Sequence, residues 1–188
     1  PVFDFLTGKR AKEGIVMQLH PDEPLIIEGI HALNPMLLND DIDRDKLFRV
    51  YVSALTTLNI DDHNRIHTPD ARLLRRLVRD YETRGASMEH TLSMWPSVRR
   101  GEEKWIFPYQ ENADALFNTT LVYEVSVLKK YVYPLLQEVP KESPCYAAAR
   151  DITKVLNYFL DADGIEDEIP PTSILREFIG GCTFYRKD

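Results

Sequence analysis

The sequence predicts an α/β fold with a helical C-terminal appendage, and three observations carry that prediction. Pro24-Leu25-Ile26-Ile27-Glu28-Gly29 is a short apolar run bounded by Pro and Gly, the pattern of a strand buried on both faces and hence parallel and central. Arg72 to Arg84 (RLLRRLVRDYETR), followed by Gly85, has helical periodicity. Leu121 to Val139 places Val122, Val125, Leu128, Val132, Leu135 and Leu136 at three- and four-residue steps, and a second helical stretch follows from about Cys145 to Leu160. Strands and helices alternate first, and helices alone come after.

In chain order, Pro1 to Phe5 (PVFDF) reads as a short strand, Thr7-Gly8-Lys9-Arg10 as a turn, and Gly14 to Leu19 as the returning hairpin partner. Glu28 ends the expected central strand, and ligands of open α/β sheets collect at the carboxyl ends of strands. Pro35 to Leu38 suits a short helix, and the alternation of Leu47 to Ala54 suits a second strand. Leu55 to Pro69 is polar. Its Asp61, Asp62, His63 and His67 would make a metal site only with a helical pattern, which is lacking, so it reads as a solvated or lid-like loop. Ser87 can cap a second helix that Pro96 kinks or ends, and Asp114 to Phe117 suits the last strand. Asp161 to Pro171 is an acidic linker, and Ile174 to Ile179 a terminal helix closed by Gly180-Gly181. No internal repeat is evident.

A chain of 188 residues suits one domain, or one with an appendage, here divided at residue 120. The net charge of −7 argues against general nucleic-acid binding. Cys145 and Cys182 are too few for a disulfide framework, which fits a reducing cytoplasm. No signal peptide and no membrane-spanning apolar run is present. The start at Pro1 rather than Met suggests a processed or cropped piece.

The arginine helix is the most informative stretch. Arg72, Arg75, Arg76 and Arg79 share an arc of about 100°. Leu73, Leu74, Leu77, Val78 and Tyr81 fill the opposite arc. Thr68 can cap, Pro69 suits the first position, and Gly85 suits the left-handed residue that ends a helix. Four like charges repel, so this face is either solvated or set against an anion such as a polyphosphate.

Four segments together resemble the uridine kinase and phosphoribulokinase family of P-loop kinases. They are Pro1 to Phe5 with Arg10, Leu25 to Gly29, Arg72 to Gly85, and Glu102 to Pro108 with Ala113-Asp114. The tail Ser173 to Gly181 (SILREFIGG) resembles a bacterial uridine-kinase-like subgroup whose kinase unit follows domains similar to those of threonyl-tRNA synthetase. The resemblance implies a P-loop-type parallel sheet and ATP-dependent transfer to a hydroxyl of a nucleoside-like acceptor, with Mg²⁺. It implies that Glu28 helps hold Mg²⁺, that Arg79 and Arg84 reach nucleotide phosphates, and that Arg76 lies near the acceptor's ribose. Phe3, Asp4, Phe5 and Arg10 would lie on the hairpin closing over the acceptor.

The departures concern the groups that read the base. Phe3 stands where the family has Tyr, Gly8 where it has His, Ala86 where it often has Arg, and Met94 where it has Gln. Losing such polar anchors weakens discrimination between bases. No G-x-x-x-x-G-K-[ST] occurs in the 188 residues. This implies the later part of a kinase domain, inactive alone, with strand edges open to a homo-oligomeric partner or another segment. A degenerate, non-catalytic binding module and a sugar-phosphate kinase are the alternatives.

Overall fold

The computed structural model describes residues 2–4, 7–38, 42–56 and 58–184. β1 (Phe3–Asp4) and β2 (Lys9–Arg10) pair antiparallel, Phe3 opposite Arg10 and Asp4 opposite Lys9. The turn uses Gly8 at φ 65°, which a side chain would resist. The partner strand is therefore Lys9–Arg10 and not Gly14 to Leu19, because the tight turn returns the chain at once.

β3 (Val50–Ser53) and β4 (Ala115–Asn118) pair in parallel, from Val50 opposite Ala115 to Ser53 opposite Asn118. Both ends of the pair are fastened. Asp114 accepts from the Arg49 amide at 2.7 Å. The Asn118 side chain accepts from the Leu55 amide and donates to the Leu55 carbonyl, each at 3.0 Å. Parallel strands need a crossover. Here α1 (Thr68–Arg84) and α2 (Met88–Trp105) lie within it.

The expected central strand does not form. Leu25, Ile26 and Ile27 are 48%, 89% and 65% exposed in irregular chain, so Glu28 stands on an exposed loop. An apolar run buries itself only when ladder partners and covering layers meet it, and the described residues supply none. The core is helical instead. Leu74, Leu77 and Val78 of α1 meet Met88 and Leu92 of α2, and Val125, Leu128 and Val132 of α3 (Glu124–Gln137). Ile152 and Leu156 of α4 (Tyr146–Leu156) complete it with Leu175 and with Phe178 of α5 (Arg176–Ile179). The helices beyond residue 120 thus share one hydrophobic cluster with α1 and α2.

Helix ends follow local chemistry. His67 takes the cap position of α1 and Thr68 begins the helix, while Gly85 adopts φ 63° at its end. Ser87 caps α2 by accepting from the His90 amide at 3.2 Å. Pro96 does not end α2, which continues to Trp105. A helical Pro costs about 3 kcal/mol. Buried anchors on both sides, Met88 and Leu92 before it and Glu102 after it, hold the two halves together.

A repeat absent from the plain reading of the sequence emerges in three dimensions. Pro140 and Pro170 each accept from a serine amide, Ser143 at 3.0 Å and Ser173 at 2.9 Å. Each serine hydroxyl accepts in turn from the amide two residues on, Cys145 and Leu175. The apolar residues flanking each turn, Val139 with Cys145 and Ile169 with Leu175, are buried. These turns start α4 and α5.

Leu128→Ala is expected to lower unfolding stability by about 2–5 kcal/mol, because Leu128 is fully buried among three helices. Val122→Ala, at an exposed position, is expected to stay within about 0.5 kcal/mol of the parent in the same urea titration.

Candidate functional site

The arginine face of α1 is neutralised from every side. Asp80, within the helix, accepts from Arg76 Nε at 3.0 Å and from Arg84 at 2.7 Å. Glu102 of α2 pairs with Arg72 at 2.5 Å and with Arg99 at 2.6 Å. Glu177 of α5 lies 3.4 Å from Arg79. Glu124 of α3 pairs with Arg75 at 2.5 Å. Glu102, Glu124 and Glu177 lie far from α1 in sequence and meet its arginines through packing.

Arg75 departs from the rest. It is 9% exposed, on the margin between the two arcs, whereas Tyr81 of the apolar arc is 45% exposed. Its guanidinium donates to the Thr119 hydroxyl (3.1 Å), the Thr119 carbonyl (2.7 Å) and Glu124. The Phe178 ring lies 5.8 Å away. Glu124 also accepts from the Leu121 amide at 3.0 Å, so one carboxylate ties the turn before α3 to α1. Arg75 is structural.

Arg76, Arg79 and Arg84 keep a different balance, with side chains 25%, 33% and 29% exposed. Each is held by a carboxylate yet reaches solvent. Guanidiniums fixed in this way suit oxyanions, because little reorganisation is needed when charge arrives. Of the expected site residues, the structure brings Arg76 and Arg84 together on Asp80 and leaves Arg79 one turn away on Glu177. Glu28 and Arg10 are exposed, with no hydrogen bond or ion pair to either among the described residues. Phe3 and Asp4 form β1, and Phe5 lies outside the described residues.

A lone exposed carboxylate fits Mg²⁺, which keeps several waters and takes one or two carboxylates with phosphate oxygens. Among the described residues no group of three His, Cys, Asp or Glu is placed to hold a metal. In the polar loop, Asp61 serves a turn. It accepts from the His63 amide at 2.8 Å, the Asn64 amide at 2.7 Å and the Asn64 side chain at 2.8 Å. These bonds, the Asn64 side chain first, hold its carboxyl below the usual range.

Sequence reasoning missed Asp80, Glu102, Glu124 and Glu177. Asp80 had a readable signal, since it lies four residues after Arg76 and four before Arg84. The others needed the fold.

The chain is thus α/β, with a helix of carboxylate-held guanidiniums that reach solvent. Residues 1–126 match the phosphoribulokinase / uridine kinase family, and the chain belongs to that family. It is similar to the uridine kinase of Staphylococcus epidermidis, 32% identical over 117 residues, covering 62% of this chain and 47% of the relative. The uridine kinase of Chlamydia pneumoniae is also 32% identical, with 62% and 45% covered. That of Staphylococcus aureus is 30% identical, with 62% and 47% covered. The chain thus spans about half the length of the curated relatives it matches. No solved structure matches it. No helix among the described residues is long and apolar enough to cross a membrane.

Glu124→Gln is expected to cost about 3–5 kcal/mol, because it strands the buried Arg75 charge. Glu177→Gln, at a partly exposed pair, is expected to cost less than about 1 kcal/mol. Thermal unfolding at neutral pH compares them. In Asn64→Ala, Asp61 should titrate nearer the ordinary 3.8, as followed by carboxyl NMR. A depressed folded-state value adds stability above the unfolded value and loses it as pH falls through the folded one. The variant should therefore narrow the stability difference between neutral pH and pH below 3.8.

Proposed function

We propose that this chain is part of an ATP-dependent kinase that transfers the γ-phosphoryl group to a hydroxyl of a nucleoside-like acceptor. The observation that carries the proposal is the family membership of residues 1–126 together with the solvent-reaching, carboxylate-held Arg76, Arg79 and Arg84 inside that span. Arg79 and Arg84 clamp the nucleotide phosphates, whose transition-state charge spreads over equatorial oxygens. Arg76, with Phe3, Asp4, Phe5 and Arg10 of the hairpin, holds the acceptor. Mg²⁺, when bound, would supply charge neutralisation at the phosphates, and Glu28 would help hold it.

The phosphate loop comes from outside these 188 residues, since they contain no G-x-x-x-x-G-K-[ST]. Upstream domains resembling those of threonyl-tRNA synthetase, a cytoplasmic setting and a homo-oligomer belong to the same reading. The exposed Val52, Leu116 and Phe117 of the small parallel sheet support a further partner layer. A sugar phosphate is the second acceptor class, favoured by Gly8, Ala86 and Met94 at base-reading positions. The same departures favour a non-catalytic binding module as the reading from another class, and a broken or missing loop upstream would favour it further.

The test is ATP-dependent phosphoryl transfer to a panel of nucleosides and sugar phosphates by the protein that carries this chain, beside its Glu28→Gln variant. Transfer to one acceptor class that falls roughly 10–100-fold in Glu28→Gln is expected. Bound ATP without transfer to any acceptor would favour the binding module instead.

A further inference from the structure

We propose that Asp80 is the positioning residue of the arginine cluster, fixing Arg76 and Arg84 as one rigid unit that meets the reactants' anionic and hydroxyl groups. This rests on the reading of those two arginines given above. Asp80 is 4% exposed, although it carries a charge and sits near the end of a surface-reaching helix. Its Oδ2 accepts from Arg76 Nε at 3.0 Å and from the Thr91 hydroxyl of α2 at 3.3 Å. Its Oδ1 accepts from Arg84 at 2.7 Å. Its backbone carbonyl accepts from the amides of Gly85 and Ala86, the latter at 3.0 Å.

These contacts hold the residue in place before any ligand arrives. The helix end fixes its backbone and Thr91 fixes its carboxylate, so the two arginines are gripped by a rigid group. Arg76 and Arg84 lie four residues on either side and thus share its face. A bond to Nε sets the plane of the Arg76 guanidinium, and its two terminal groups lie beyond the bond that is held. Without the carboxylate the two cations would repel and each long side chain would regain its rotamers. The carboxylate thus converts two flexible cations into a preorganised pair, which is what binding a developing charge requires.

Asp80→Asn keeps size and removes the charge. Nitrogen relaxation of the arginine Nε–H groups in the protein that carries this chain gives a readout without any reaction. Order parameters of Arg76 and Arg84 are expected to fall to below about 0.6, the flexible range. Those of Arg72 and Arg99, held by Glu102, should stay as they were. Loosening of all four together, or of none, overturns the proposal, since the first is a general folding defect.

In phosphoryl transfer, Asp80→Asn should lower kcat/KM by roughly 10–100-fold, and this loss should vanish in an Arg76→Ala, Arg84→Ala background. Additive losses would show that Asp80 acts apart from the arginines, and overturn it. A loss in Arg84→Ala with none in Asp80→Asn sinks this proposal alone. No loss in Arg84→Ala sinks the phosphate reading as well. If Asp80→Asn does not fold, Asp80→Glu keeps the charge and displaces it by one methylene. Looser Arg76 and Arg84 are then expected, and unchanged order parameters and kcat/KM overturn the proposal.

Discussion

Arginines crowded on one helix face need counter-charge, and the way α1 obtains it organises the rest of the structure. Like charges at these spacings destabilise a helix by a few tenths of a kcal/mol each. Neutralisation by carboxylates from α2, α3 and α5 makes the packing of those helices and the charge balance of α1 one problem. The consequence is a graded face. Arg75 is buried and spent on structure, while Arg76, Arg79 and Arg84 are restrained and still reach water.

The buried Arg75–Glu124 pair is the joint between the two parts of the chain. Desolvating two charges is expensive, and further hydrogen bonds around a pair this deep offset part of that cost. Thr119 and the Leu121 amide supply several of them, while Arg75 Nε and Glu124 Oε1 are buried without a partner. The pair therefore fixes α1 against the end of β4 and the start of α3. Movement of the arginine helix would have to break it or carry α3 along. The helices after residue 120 are thus coupled to the face on which anion chemistry is proposed.

Much of the helical architecture was legible from periodicity and punctuation. The arginine helix closed at Gly85 as its residues indicated, and Ser87 capped the next. The apolar steps of residues 121–139 face the core, apart from the exposed Val122. The sheet was less legible. Leu25 to Ile27 has the composition of a buried strand, but composition does not supply ladder partners. The paired serine turns escaped notice because Val139-Pro140 and Ile169-Pro170 share hydrogen-bond geometry with little sequence identity. For the site, the arginines could be named from sequence, but three of the four acids holding them could not. Ion pairs between residues 49 or 98 positions apart are set by tertiary packing, which no local pattern encodes.

The most direct measurement of the central claim is a crystal structure of the protein carrying this chain with a non-hydrolysable ATP analogue, Mg²⁺ and an acceptor. The account predicts phosphate oxygens within hydrogen-bond distance of Arg79 and Arg84, Arg79 released from Glu177, and Arg84 still on Asp80. Phosphates bound elsewhere, with Arg79 and Arg84 both unchanged on their carboxylates, would contradict it.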